Sequence, residues 1–277
     1  MNVLYCGDRN IEDGVMLSLL SLLKNAGEPL NIYIMTMELA TGQKLFHRLP
    51  PSLGDFLDRK VKEADPRNSV RLIDVTKLFL KEIPTANLET RFTPMCMLRL
   101  FADLLPELPD RLLYLDNDVI CRKLFFEFYH QDMTECELAG VLDYYGSWFF
   151  RRRFWERDYL NSGVLLLNLK EIRKTGLFQK CRELCVRKKM FMPDQSALNK
   201  LANSKKILPR KYNEQRKLRK DTVFQHFTTS FRFFPYFHSV TVKPWHTEKM
   251  HSVLKLYEYD SLLTEYEGLK AEYSRTE

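Results

Sequence analysis

Nowhere in the 277 residues does an apolar run approach the roughly 20 residues that a membrane-crossing helix needs. The first ten residues, MNVLYCGDRN, also lack the basic start and long apolar core of a secretion signal. The expectation is a protein made and kept in the cytosol. The six cysteines (6, 96, 121, 136, 181 and 185) include no C-x-x-C pair, and most lie in apolar runs. They read as reduced, mostly buried thiols. Cys181 and Cys185 share a helical spacing, but no second ligand pair accompanies them, which argues against a metal there. There is no Gly/Ser/Pro-rich linker, low-complexity tract or internal repeat. One main domain over 1–246 is therefore expected, followed by a helical extension over 247–277. A chain of this length buries roughly three quarters of its unfolded surface.

What is abundant is positive charge. The net charge is +7, and residues 204–221, SKKILPRKYNEQRKLRKD, carry eight Lys/Arg against Glu214 and Asp221, a net of +6. A second cluster, WFFRRRFWERD (148–158), interleaves Arg151, Arg152, Arg153 and Arg157 with aromatics. Both point towards an anionic partner.

Along the chain, NVLYC (2–6), LNIYIMT (30–36), VRLIDV (70–75), RLLYLDNDVI (111–120), ELAGVLD (137–143) and SGVLLLNL (162–169) read as strands. Helical patterns occupy 12–25, two segments across 41–64, and 93–105, which opens with Thr-Pro and is apolar almost all round. The alternation predicts an α/β fold with a mostly parallel sheet covered on both faces. Such sheets bind ligands beyond the carboxyl ends of their strands, where Asp8, Asp116 and Asp118 lie. The tail pattern, Met250, Val253, Leu254 and Tyr257, predicts a helix over 247–273 that packs on the domain or on a second copy.

The stretch LLYLDNDVIC places two carboxylates in the second half of a strand. Residues i and i+2 of a strand point to one side, so Asp116 and Asp118 would converge, with Asn117 turned away. Two such groups repel unless a cation lies between them, and Mg²⁺ or Mn²⁺ prefers oxygen-rich shells and shares them with phosphates. The plainer reading is a turn that ends the strand, because Asp and Asn are good turn formers.

Six ordered motifs decide between these readings: VLYCGDRN, MLRLFADLLPELPDRLLYLDNDV, YLNSGVLLLNL, MPDQSALN, LPRKYN, and HFT followed by KPW. Across residues 1 to about 246 the chain resembles glycosyltransferase family 8, retaining enzymes that include glycogenin and bacterial lipooligosaccharide galactosyltransferases. The resemblance implies a GT-A fold, a single Rossmann-like, mostly parallel mixed sheet flanked by helices. It implies transfer of a hexose, galactose or glucose, from a UDP-sugar to a glycan or lipid-linked glycan, with Mn²⁺ or Mg²⁺.

By that resemblance Asp116, Asp118 and His226 ligate the metal. The family spacing between HFTG and KPW is short, whereas Lys243 lies seventeen residues after His226; the intervening segment brings a rival ligand, His238. Cys6, Asp8, Asn10, Asn117 and Lys243 fall to the nucleotide, with Lys243 on the diphosphate. Arg99, Asn161, Ser162, Asp194 and Gln195 fall to the donor sugar, with Gln195 near the anomeric carbon and Asp143 a candidate acceptor contact. Each has a structural reading as well: a core histidine, turn and N-cap residues, a helix cap for Asp194, and an ion pair between Arg99 and Asp103 four residues on. Because Gln195 is an amide and a weak nucleophile, a same-face reaction is expected, with the leaving phosphate assisting deprotonation of the acceptor. The basic-aromatic segments, including FRFFPYF (231–237), suit an anionic membrane surface on the cytosolic side. Two other classes compete: a non-catalytic nucleotide-sugar or glycan-binding relative, which predicts a damaged site, and a nucleic-acid binder, which leaves the acidic pair unexplained.

Overall fold

The computed structural model describes residues 1–42, 44–90, 93–144, 158–232 and 238–276. Among them the central element is a seven-stranded sheet of β1 (Asn2–Cys6), β2 (Asn31–Thr36), β5 (Ser69–Asp74), β6 (Arg111–Leu115), β8 (Leu138–Leu142), β9 (Leu160–Asn168) and β10 (Lys205–Ile207). Its order is β10-β8-β9-β6-β1-β2-β5. Neighbouring strands run parallel, except that β9 is antiparallel to both β6 and β8. This is the mixed, mostly parallel sheet that the sequence predicts.

Strand alternation sorts the core into two layers. Val3, Tyr5, Ile32, Ile34, Leu113 and Leu115 face helices α1 (Glu12–Leu23) and α2 (Pro51–Ala64). Leu4, Tyr33, Met35, Leu112 and Tyr114 face the other way. There they meet a 3-10 helix (Pro94–Leu104) and three α-helices, α5 (Leu169–Thr175), α6 (Leu177–Arg187) and α7 (Pro193–Leu201). Two single-turn helices, α3 (Thr76–Phe79) and α4 (Phe126–Tyr129), fill connections.

Three local expectations are corrected. Residues 41–64 hold one helix rather than two, because β3 (Leu39–Ala40) pairs with β4 (Leu45–Phe46) and Pro51 then opens α2. The stretch RLLYLDNDVI is two strands, not one. The backbone turns after Leu115, Val119 N–H donates to Asp116 O at 3.2 Å, and β7 (Val119–Cys121) leaves the main sheet to pair antiparallel with β11 (Phe224–His226). The tail is broken as well, into α8 (Thr247–Ser252) and α9 (Asp260–Tyr273). Lys255 adopts a left-handed φ of 54°, and Leu256 N–H returns to Met250 O at 3.1 Å, a helix-ending motif. Tyr257 is consequently exposed.

The tail packs on its own chain. Tyr266 donates to Asp13 Oδ1 at 2.6 Å, Tyr273 stacks obliquely on Phe56 at 5.1 Å, and Leu262, Leu263 and Leu269 join the first core layer. A further hairpin, β12 (Ser230–Arg232) with β13 (His238–Val240), precedes it.

Candidate active site

The antiparallel sense of β9 decides where the site lies. It brings the start of β9, with Asn161, Ser162 and Gly163, to the same rim as the carboxyl ends of β1, β6 and β8. Asp116 N–H is tied to Gly163 O at 2.8 Å. The two carboxylates do converge, through the turn rather than through a strand, so both readings of Asp-Asn-Asp hold.

Their third partner arrives on β11, where His226 stands opposite Val119. Its Nε2 is 3.2 Å from Asp118 Oδ1 and 3.6 Å from Asp116 Oδ2. One ligand atom from each of the three lies within 4.8 Å of the others. Burial opposes the charge on His226, but Asp118 and then Asp116 outweigh it and raise its pKa. Burial likewise opposes charge on Asp118, and Lys243 and His226 more than reverse this, holding the carboxyl far below its ordinary range. Lys243 Nζ lies 2.5 Å from Asp118 Oδ2. Gly163 makes room for the cluster: a Cβ there would fall 2.2 Å from His226 Cε1 and 2.8 Å from Asp116 Oδ2. Two carboxylates and an imidazole, backed by a glycine cradle, fit a hard dication such as Mn²⁺ or Mg²⁺. His238 lies in β13, its side chain outside the described residues.

Arg99 is buried, and it is not paired with Asp103 as the sequence suggested. In a 3-10 helix residues three apart align, while the fourth is rotated about 120° away. Asp103 bonds Arg182 instead, at 2.6 Å. Arg99 reaches into the site, to Asp116 Oδ1 at 3.0 Å, Asp194 Oδ2 at 3.3 Å and the carbonyl of Ser162. It lies over the Tyr114 ring at 3.8 Å, and Tyr114 Oη donates to Asp116 Oδ1 at 2.7 Å. Burial raises the pKa of Asp194, with Arg99 opposing.

Beside Arg99 a chain of amides and carboxylates continues. Gln195 Oε1 accepts from Ser162 N–H at 2.9 Å and from Ser162 Oγ at 3.1 Å. Gln195 Nε2 donates to Asp143 Oδ2 at 3.0 Å, and Asn161 Nδ2 donates to the same oxygen at 2.9 Å. Asn161 Oδ1 accepts from Asn213 Nδ2 at 2.9 Å. Pro193 starts α7 and so presents Asp194 and Gln195 from its first turn. Asp143 therefore touches Gln195 and Asn161, which its place in the sequence did not reveal.

At the other end of the rim Asp8 is buried and takes the amide of Asn10 at 2.7 Å; burial raises its pKa. Cys6 ends β1, close enough to Arg99, Asp116 and Asp194 to feel their charges, and burial pushes its thiol up. Asn117 packs on α1: a Cβ at Gly14 would meet its Nδ2 at 2.4 Å. Sequence reasoning named no role for Tyr114, Gly163 or Asn213. Tyr114 stands two residues before Asp116, and the other two lie within motifs already singled out, NSG and KYN.

The basic segment is partly consumed internally. Arg210 and Arg219 pair with the buried carboxylate of Glu214, and Lys205 pairs with Asp158 at 2.8 Å. Within 148–158, residues 148–157 lie outside the described residues, as do residues 233–237 of FRFFPYF. Among the described residues no helix is long and apolar enough to cross a membrane.

Comparison with known proteins agrees with this geometry. The family model described as glycosyl transferase family 8 matches residues 2–249. A lipopolysaccharide 1,2-glucosyltransferase of Escherichia coli is 28% identical over 281 residues, covering 88% of this chain and 73% of that protein. A lipopolysaccharide 1,3-galactosyltransferase of Salmonella typhimurium is 26% identical, covering 89% and 73%. Among solved structures, the galactosyltransferase LgtC in complex with donor and acceptor sugar analogues superposes with a TM-score of 0.69 at 17% identity, covering 97% of this chain and 95% of that one. The fold is thus GT-A. The chain belongs to glycosyl transferase family 8 and is a retaining hexosyltransferase.

Proposed function

We propose that the protein transfers galactose or glucose from a UDP-sugar to a lipid-linked glycan of the lipopolysaccharide type, with a dication held by Asp116, Asp118 and His226. The observation that carries this reading is the meeting of those three side chains at the sheet rim, beside Arg99 and Lys243. Bound there, Mn²⁺ or Mg²⁺ would offset the charge that develops on a leaving diphosphate. Lys243 supplies a second positive charge for the diphosphate, and Asp8, Asn10 and Cys6 lie where β1 would meet the nucleoside. Arg99 fixes Asp194, and Ser162 and Asp143 hold the Gln195 amide by both ends. Gln195 is thus oriented before the sugar arrives; exchanging its bond to Ser162 Oγ would turn its carbonyl dipole to the anomeric carbon. Retention then follows from a same-face exchange. The C1–O bond to the phosphate breaks, the acceptor oxygen bonds C1 on that face, and the acceptor proton passes to the leaving phosphate oxygen.

The acceptor class is supported by the lipopolysaccharide enzymes among the relatives and by one surface feature. Leu124, 66% exposed, and Phe126, 48% exposed, neighbour a basic loop through bonds from Arg122 and Lys123 to the carbonyl of Lys220. That combination suits peripheral contact with anionic lipid. A screen of UDP-sugars by thermal shift and hydrolysis, with and without Mn²⁺, tests the donor. Stabilisation by UDP-galactose or UDP-glucose only with Mn²⁺ is expected, and indifference to all of them would sink the reading. Salt-sensitive pelleting with anionic vesicles is the matching test for the membrane.

A further inference from the structure

We infer that Lys243 is a resident counter-ion of the metal site: in the donor-free protein its ammonium competes with the dication for Asp118, and the diphosphate relieves the competition by drawing the ammonium away. The inference rests on the reading of Asp116, Asp118 and His226 as metal ligands and adds an order of binding to it.

Three observations support it. Asp118 is buried, and its two oxygens are divided between an imidazole and an ammonium, with Oδ1 at 3.2 Å from His226 Nε2 and Oδ2 at 2.5 Å from Lys243 Nζ. A dication approaching Asp118 therefore meets a positive charge already in bonding contact. Lys243 itself is partly exposed at its side chain, 34%, so its ammonium has somewhere to go. Its backbone does not: Val242 is buried, and Lys243 O accepts from His246 N–H at 3.0 Å. The change is thus a swing of a flexible four-carbon side chain about a fixed anchor. Arg99 and Tyr114 occupy Asp116 by comparable bonds, but Arg99 is buried, with hydrogen bonds to Cys96 O, Ser162 O and Asp116 and an ion pair with Asp194, and has no such exit. Lys243 is the displaceable cation of the cluster.

The thermodynamic consequence is coupling. If the diphosphate removes the ammonium from Asp118, it strengthens metal binding, and by reciprocity the metal strengthens diphosphate binding equally. Metal alone is held weakly, and metal with donor tightly, which disfavours a loaded site without substrate.

The test compares Lys243→Met with the unaltered enzyme, using Mn²⁺ titration followed by electron paramagnetic resonance, first alone and then with saturating UDP. Methionine keeps the length of the side chain without the charge. A hydrogen bond between charged groups has to be broken in the unaltered enzyme only, so the variant should bind Mn²⁺ alone roughly 10- to 100-fold more tightly. UDP should then raise Mn²⁺ affinity more in the unaltered enzyme than in the variant. Lys243→Arg retains the charge and should show no such tightening. Should the methionine variant fold poorly, the rise in melting temperature on adding Mn²⁺ gives a second readout, larger for any neutral substitution than for the unaltered enzyme. Equal affinities of the two proteins for Mn²⁺ alone would overturn the counter-ion role while leaving the metal site standing. Failure of both to bind Mn²⁺ even with UDP would overturn the metal site itself, and the inference with it.

Discussion

Replacing Gly163 by alanine adds one methyl group, and its consequence can be worked from distances. The new Cβ would lie 2.2 Å from His226 Cε1, 2.7 Å from His226 Nδ1 and 2.8 Å from Asp116 Oδ2. Carbon atoms rest at about 3.5–4.0 Å, so the imidazole would have to retreat by more than about 1 Å. Neither backbone gives way easily. Gly163 is bonded on both sides, its N–H to Asn161 Oδ1 at 3.0 Å and its O to Asp116 N–H at 2.8 Å, and His226 N–H is held by Glu214 O at 3.0 Å. Its φ is not in the left-handed region, so backbone strain plays no part and the effect is one of space. Overpacking of this kind costs about 1–3 kcal/mol, read by urea denaturation without metal. Displacing a site group by 1 Å can cost about 10²-fold in turnover. The argument has an internal control. In a His226→Ala background the methyl occupies space that the ring has left, so most of the stability cost should vanish, a coupling visible in a double-mutant cycle. An alanine variant with unchanged stability and turnover, or a penalty that persists without His226, would refute this packing.

Arg99→Met should lose about 3–5 kcal/mol in the same denaturation assay, because it leaves Asp116 and the buried Asp194 without their cation; adding Asp194→Asn should restore part of that loss, by about 0.5–3 kcal/mol. Gln195→Ala should lower kcat by about 10²- to 10³-fold, in line with the removal of one transition-state dipole, while UDP affinity by calorimetry stays within about twofold; full turnover would remove Gln195 from the chemistry. Asp143→Ala, which frees one end of that amide, should lower kcat by a smaller factor than Gln195→Ala does, and an equal or larger loss would mean that Asp143 acts on the substrate directly.

Much of the sheet was legible because each strand is an apolar run bounded by polar turns, and alternation of such runs with helical periods leaves few architectures. The antiparallel sense of β9 was not legible: SGVLLLNL is apolar on both faces, as any central strand would be, and carries no mark of direction. Yet that direction is what sets Ser162 and Gly163 beside Asp116. The spacing of Arg99 and Asp103 misleads for a related reason, Asp103 pairing with Arg182 instead. Four-residue spacing implies contact only if the helix has 3.6 residues per turn, and the segment winds more tightly. Composition hides this, since the same apolar residues suit both windings. The family motifs named His226 and Gln195, whereas Gly163, which leaves room for the His226 ring, and Asp143, which bonds Gln195, act through contacts between segments far apart in the chain. Seventeen positions separate Lys243 from His226 in sequence, but the two side chains still meet at Asp118.

The most direct test is anomalous diffraction at the manganese edge from crystals grown with Mn²⁺ and an unreactive UDP-sugar analogue. One peak is expected, bonded to Asp116, Asp118 and His226 and to the diphosphate oxygens, with Lys243 Nζ moved off Asp118. A well-ordered diphosphate with no peak at those three side chains, or a peak ligated elsewhere, would contradict the proposal that this cluster holds the ion used in transfer.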